Sequence, residues 1–90
     1  MTEASRRVLE AAKKVYEERW KVQLEATHWG EIIALEPESG EYVLGKTFRE
    51  VDLARQARFQ NKMVYTFRVG GGGAVSIGAG RGYERIRGRN

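Results

Sequence analysis

The chain predicts an α+β fold, a long N-terminal helix packed on a small β-β-α-β(-β), mostly antiparallel sheet. Three observations carry that prediction: an apolar stripe at helical spacing over the first 27 residues, two short apolar runs parted by a Pro/Gly turn, and a helix-capping tetrapeptide followed by a stretch of period two. One domain is expected over 1–78, and a basic Gly/Arg-rich tail over 79–90.

Val8, Leu9, Ala12, Val15, Tyr16, Trp20 and Leu24 recur three and four residues apart, which places them on one side of a helix over 3–27. Thr2 is its N-cap and Gly30 its stop. The stripe is longer than a sheet of this size readily covers, so the helix can also meet a second subunit. Trp20 continues the stripe as core, whereas Trp29, at the helix-to-strand junction, is either core edge or interface anchor.

A β-hairpin is expected over 31–45. Its runs Glu31 to Glu36 and Glu41 to Leu44 flank Pro37-Glu38-Ser39-Gly40, where proline presets φ and glycine accepts a positive one. Thr47-Phe48-Arg49-Glu50 is a capping box, in which Thr47 accepts from the Glu50 amide and Glu50 reaches back to the Thr47 amide. It opens a helix over 47–60, with Asn61 suited to the left-handed position that follows. Over 63–69, Met63, Tyr65, Phe67 and Val69 alternate with Val64, Thr66 and Arg68, the period of a half-buried strand. Gly70 to Gly73 then form a flexible hairpin turn into a short strand over 74–78 that pairs back on the third. No structure is assigned to the tail.

Composition narrows function mostly by exclusion. Ninety residues support one core and no second domain. Without cysteine there is no disulfide, thiolate metal site or cysteine nucleophile. The N-terminus reaches no apolar run of signal-peptide length and no segment has the length of a membrane span, so a cytoplasmic protein without a membrane partner is expected. Charge is asymmetric: residues 1–45 carry six Lys/Arg against nine Glu, and residues 46–90 carry ten Lys/Arg against three Asp/Glu. A dipolar molecule of this kind can dock an acidic partner, nucleic acid or its own opposite face.

Patterns of catalysis fail in turn. Gly40 to Thr47 spells the letters of a phosphate-binding loop, yet the four residues between its glycines are themselves a strand and include Glu41. The helix start beside Lys46 retains only the capacity to hold an anion, against the plainer role of a cap. The glycine run at 70–73 and the segment Gly78 to Tyr83 both miss the dinucleotide fingerprint. His28 is the single histidine and is expected to be satisfied by backbone or water at a helix end, and Glu17 and Glu18 are solvated helix charges. No cofactor or metal is implied.

The segment from Gly30 to Thr47, the helix ending in Ala57-Arg58-Phe59, and Val64 to Gly70 together resemble a family of small prokaryotic proteins of the DUF5678-like β-β-α-β type. The resemblance spans about Tyr16 to Gly78 and is most specific over Gly30 to Thr47. It implies the same fold and, since similar proteins are often encoded beside a retropepsin-like aspartyl protease, a neighbouring-gene protein partner in a two-gene, antitoxin-like module. It carries no catalytic residues. The chain departs from the family pattern at Asp52 and Arg55, which stand where that helix is usually apolar, and which either pair with each other at the core margin or face a partner chain.

The expected function is a non-catalytic protein-binding or regulatory module, as a homo-oligomer or with a neighbouring-gene partner, through Trp29, Asp52, Arg55 and Trp20. The alternative is nucleic-acid binding by the basic C-terminal half through Lys62, Arg68, Arg81, Tyr83, Arg85, Arg87 and Arg89, for which a merely solubilising tail is the plainer account.

Overall fold

A computed structural model describes residues 2–72 and 75–80 and the backbone of 82–86. It is α+β: α1 (Glu3–Val15), a π-helical segment (Tyr16–Trp20), α2 (Lys21–Thr27), β1 (Ile32–Glu36), β2 (Glu41–Gly45), α3 (Phe48–Phe59), β3 (Val64–Arg68), β4 (Val75–Ala79) and β5 (Gly82–Ile86). The strands form one sheet in the order β2-β1-β3-β4-β5, with every neighbouring pair antiparallel.

Helices lie on both faces. Ile33 and Leu35 of β1, Tyr65 and Phe67 of β3 and Ile77 of β4 pack with Ala12, Tyr16 and Leu24 of the long helix. On the other face Ile32, Ala34 and Val64 pack with Val51 and Phe59 of α3. All five residues of β1 are therefore buried, which accounts for its unbroken apolar run.

The N-terminal helix begins as expected, with Thr2 Oγ1 accepting from the Ser5 amide at 3.0 Å. It is not α-helical throughout. Ala12, Tyr16, Trp20 and Leu24 are spaced by four, and at about 100° per residue each step of four drifts by about 40°. In a regular helix Leu24 would stand about 120° away from Ala12. The extra residue held in the π turn removes most of that drift, so that Tyr16 meets Phe67 edge-on at 4.8 Å and Trp20 meets Tyr42 edge-on at 4.8 Å. The stripe is seated on the chain's own sheet, which corrects the expectation that it exceeds what the sheet covers.

The hairpin turns where Pro37 and Gly40 place it, with Gly40 at φ +76°. A β-carbon on Gly40 would collide with the Arg19 guanidinium, and the Gly40 carbonyl accepts from Trp20 Nε1 at 2.9 Å. At the start of α3 the Glu50 amide donates to Thr47 Oγ1 at 3.1 Å, but Glu50 Oε1 accepts from the Lys46 amide at 2.9 Å rather than from Thr47. At its end the positive φ belongs to Gln60 (52°, ψ −114°) and not to Asn61. The Lys62 amide closes a turn onto the Phe59 carbonyl at 2.9 Å, and Gln60 takes its first central position with the mirror-image geometry that favours glycine.

The largest correction concerns the C-terminus. Where a tail without structure was expected from residue 79, β4 continues to Ala79 and the chain returns as β5. The turn between them is tied to α3, because the Gly80 amide donates to the Gln60 carbonyl at 3.0 Å.

Candidate functional site

Trp29 follows the end of α2 and is 67 % exposed. Its ring lies against Gly70, where an added β-carbon would come within 2.8 Å of Trp29 Cε2. Gly70 has φ +93° in the loop after β3, so both its conformation and its bare surface are used. Adjacent backbone bonds fix the platform: the Gly30 amide donates to the Val69 carbonyl at 3.0 Å and the Val69 amide to the Glu31 carbonyl at 2.8 Å. The tryptophan is thus held out on a rigid base.

Sequence reasoning missed Val22, which is 84 % exposed on α2. Val22, Ala26 and Trp29 follow one another by four and three residues, and both Ala26 and Val22 are exposed while Leu24 is buried. Val22 and Ala26 therefore share the outer side of α2, and Trp29 follows beyond its end. The signal for Val22 was available in the sequence, since it falls two residues from both Trp20 and Leu24 and so cannot share their side.

Beside Trp29, a groove of ≈ 290 Å³ opens between the π segment and β3, with Tyr16, Tyr65 and Phe67 at its base and Lys13, Glu17, Lys21, Glu25 and Arg68 around it. Tyr16 donates to Glu25 Oε2 at 3.4 Å. Burial, reinforced by the Glu25 charge and this hydrogen bond, pushes the Tyr16 hydroxyl up to about 12. It is a protonated donor throughout the physiological range.

Other expected site residues are committed to internal contacts. Trp20 is half-buried and bonded to Gly40, so it serves the fold. Asp52 and Arg55 pair with each other, Arg55 Nε donating to Asp52 Oδ1 at 2.8 Å, and Arg55 is only 3 % exposed on the sheet-facing side of α3. A partner chain therefore has no access to Arg55, which corrects its place among interface candidates. The exposed Lys62 Nζ donates to Glu38 Oε1 at 3.2 Å. Arg68 Nη1 donates to the Gly30 carbonyl at 2.7 Å. Tyr83 and Arg85 lie on β5, whose backbone pairs Gly78 with Tyr83 and Ser76 with Arg85. Arg81, Arg87 and Arg89 lie outside the described residues.

Letters resembling a phosphate-binding loop fall on β2 and its exit, and the Lys46 amide that would face an anion is taken by Glu50. His28 Nδ1 lies 2.8 Å from Thr27 Oγ1, whose hydroxyl donates to the Gln23 carbonyl at 2.7 Å. Among the described residues no three His, Asp or Glu side chains converge as metal ligands, and no helix is long and apolar enough to cross a membrane.

A buried carboxylate also escaped sequence reasoning. Glu36 is 1 % exposed at the end of β1 and accepts from the amides of Glu38 at 2.8 Å and Ser39 at 2.9 Å. Burial pushes its carboxyl up, but the hydrogen bonds from Ser39 and Glu38, with the Lys62 charge, outweigh that and hold it below the ordinary value. It clamps the hairpin turn. Comparison of the chain with protein-family models, curated proteins and solved structures finds no match, so the family resemblance rests on the residues quoted for it.

Proposed function

We propose that the chain is a non-catalytic binding module that docks a protein, a second copy or the product of a neighbouring gene, with Trp29 as its anchor. The observation that carries this reading is a tryptophan held two-thirds exposed on a backbone platform, just beyond the exposed Val22 and Ala26 of α2. Tryptophan concentrates binding energy at interfaces because one rigid side chain removes a large apolar area from water at small entropic cost. Val22 and Ala26 extend the contact along α2, and the charges of both signs around the groove, Lys13, Lys21 and Arg68 with Glu17 and Glu25, suit a polar rim to that contact. Asp52, held by Arg55 and Gln56, supports the fold together with Arg55 and Trp20.

Size-exclusion chromatography with light scattering, of the chain alone and co-expressed with the product of an adjacent reading frame, tests the proposal. A stable dimer or hetero-complex is expected, and Trp29→Ala should weaken it by about 2 kcal/mol or more, roughly thirtyfold. A strict monomer in both settings, or a complex indifferent to Trp29→Ala and Val22→Asp, would overturn it.

A further inference from the structure

The groove between the π segment and β3 holds an unmet hydrogen-bonding group. Tyr65 lines its base and is only 6 % exposed. Burial alone pushes the Tyr65 hydroxyl up, with no hydrogen bond or charge contributing, so it stays a protonated donor without an acceptor among the described residues. Arg55 Nη2 is the single fully buried side-chain nitrogen or oxygen without a partner among those residues, so the Tyr65 hydroxyl is not sealed in and reaches the groove that the residue lines. Its acceptor is therefore water or a ligand.

The surroundings favour a ligand. Tyr16, Tyr65 and Phe67 are each more than nine-tenths buried and packed ring against ring, Tyr65 stacked on Phe67 at 4.7 Å and Tyr16 edge-on to Phe67 at 4.8 Å. They make a firm apolar floor under a volume of ≈ 290 Å³, near the lower end of small-molecule sites. Tyr16 and Glu17 belong to the π segment, an insertion that recurs where helices build binding sites. Around the rim, Glu25 is engaged by the Tyr16 hydroxyl, and Arg68 donates to the Gly30 carbonyl. Ion pairs between described side chains join Arg7 to Glu3, Arg55 to Asp52, Arg58 to Glu41 and Lys62 to Glu38, so Lys13 and Lys21 are paired with neither Glu17 nor Glu25. What is left unmet is chiefly donors, which calls for a ligand that accepts. Glu17 and Glu25 repel further negative charge and so disfavour a polyanion.

We propose that the groove binds a small planar aromatic monocarboxylate, its ring on the floor of Tyr16, Tyr65 and Phe67 and its carboxylate accepting from the Tyr65 hydroxyl, with Lys13 and Lys21 on the helix wall supplying the opposing charge. A hydroxyl donating to a carboxylate makes a charge-assisted bond, about twice as strong as one between neutral groups. A flat ring gains edge-to-face or offset contact with the floor that a puckered ring does not match. Trp29 is not part of the lining, so the site stands without the protein-docking proposal.

Amide NMR spectra of the full, isotope-labelled chain titrated with benzoate test it. Saturable shifts are expected at Tyr65, Phe67 and Gly71, with a Kd of about 1 mM, as suits a ligand of so few atoms. Cyclohexanecarboxylate, which keeps the charge without the flat ring, and benzamide, which keeps the ring without the charge, should each bind at least about fivefold more weakly. Tyr65→Phe keeps the floor and removes only the hydroxyl, and should raise Kd about tenfold. Lys13→Gln combined with Lys21→Gln should raise it several-fold, whereas Lys46→Gln combined with Arg49→Gln, the same charge loss outside the groove, should change it less than about twofold. Trp29→Ala should leave Kd unchanged, so failure of this site and failure of the docking surface are read separately. Circular dichroism checks the fold of each variant, and the ranking of the three probes on the wild type decides the matter where a variant does not fold. No saturable shift with benzoate at about 10 mM, shifts confined to residues away from the groove, equal affinity for the three probes, or an unchanged Kd in Tyr65→Phe would each overturn the proposal.

Discussion

Arg55 sits between Val51 and Phe59 on the buried side of α3, with Nη2 lacking a hydrogen-bond partner among the described residues and only Nε engaged by Asp52. A buried cation with an incomplete set of partners costs more than an apolar side chain of similar length, whereas removing its one carboxylate leaves the charge uncompensated. Asp52→Ala should therefore cost about 2 kcal/mol, while Arg55→Met, alone or with Asp52→Ala, should be neutral or stabilising by about 1 kcal/mol. Urea denaturation of the three variants decides this, and a large loss from Arg55→Met would mean that the pair has a net favourable role. Glu36 makes the opposite case, a buried charge that its surroundings do satisfy. Its folded pKa lies below the ordinary 4.5, so its contribution to stability is present above the unfolded value and lost as pH falls through the folded one. Between pH 6 and about pH 3 the wild type should lose more stability than Glu36→Gln, and equal losses would show that other carboxylates govern the acid limb.

At the scale of elements, the N-terminal helix shows how spacing is converted into packing. Four-residue steps from Ala12 to Leu24 are too long for a straight helical stripe, and the π segment absorbs the excess where Tyr16 and Trp20 must both reach the sheet. Deleting the exposed Glu18 should turn the π turn into α-helix with both flanks still in register, and shift the thermal midpoint by only a few degrees. Deleting the exposed Glu10 from regular α1 should instead rotate the first turns by about 100° off the sheet and lower the midpoint far more. Equal midpoints for the two deletions would refute this account of the bulge. Trp20 adds a second constraint, since its indole bond to Gly40 joins the π segment to the hairpin turn that Glu36 clamps from within.

For the molecule as a whole, β5 decides where the domain ends. With β5 in place, β4 is an interior strand and the sheet edges are β2 and β5. Truncation after Gly80 removes the ladder from Val75–Ile86 to Ala79–Gly82 and leaves β4 with an unpaired edge. The truncated chain should lose several kcal/mol and become aggregation-prone, whereas a mere solubilising tail could be cut without effect; thermal denaturation with light scattering distinguishes the two.

What the sequence by itself determined are the local choices: the Thr2 cap, the Pro37–Gly40 turn and the start of α3 at Thr47, whereas the half-buried strand expected over 63–69 is buried on both faces from Val64 to Phe67. Each depends on chemistry within a few residues, and so was legible before any contact was known. Tertiary structure alone decided that β1 is buried on both faces, that Trp29 stands out on Gly70, that Arg55 is buried, and that Arg85 and Tyr83 join the row of Ser76 and Gly78. The periodicity of a strand says which residues share a face. Which strands and helices lie beside or over that face depends on pairings between segments far apart in the chain, and no local pattern carries that information.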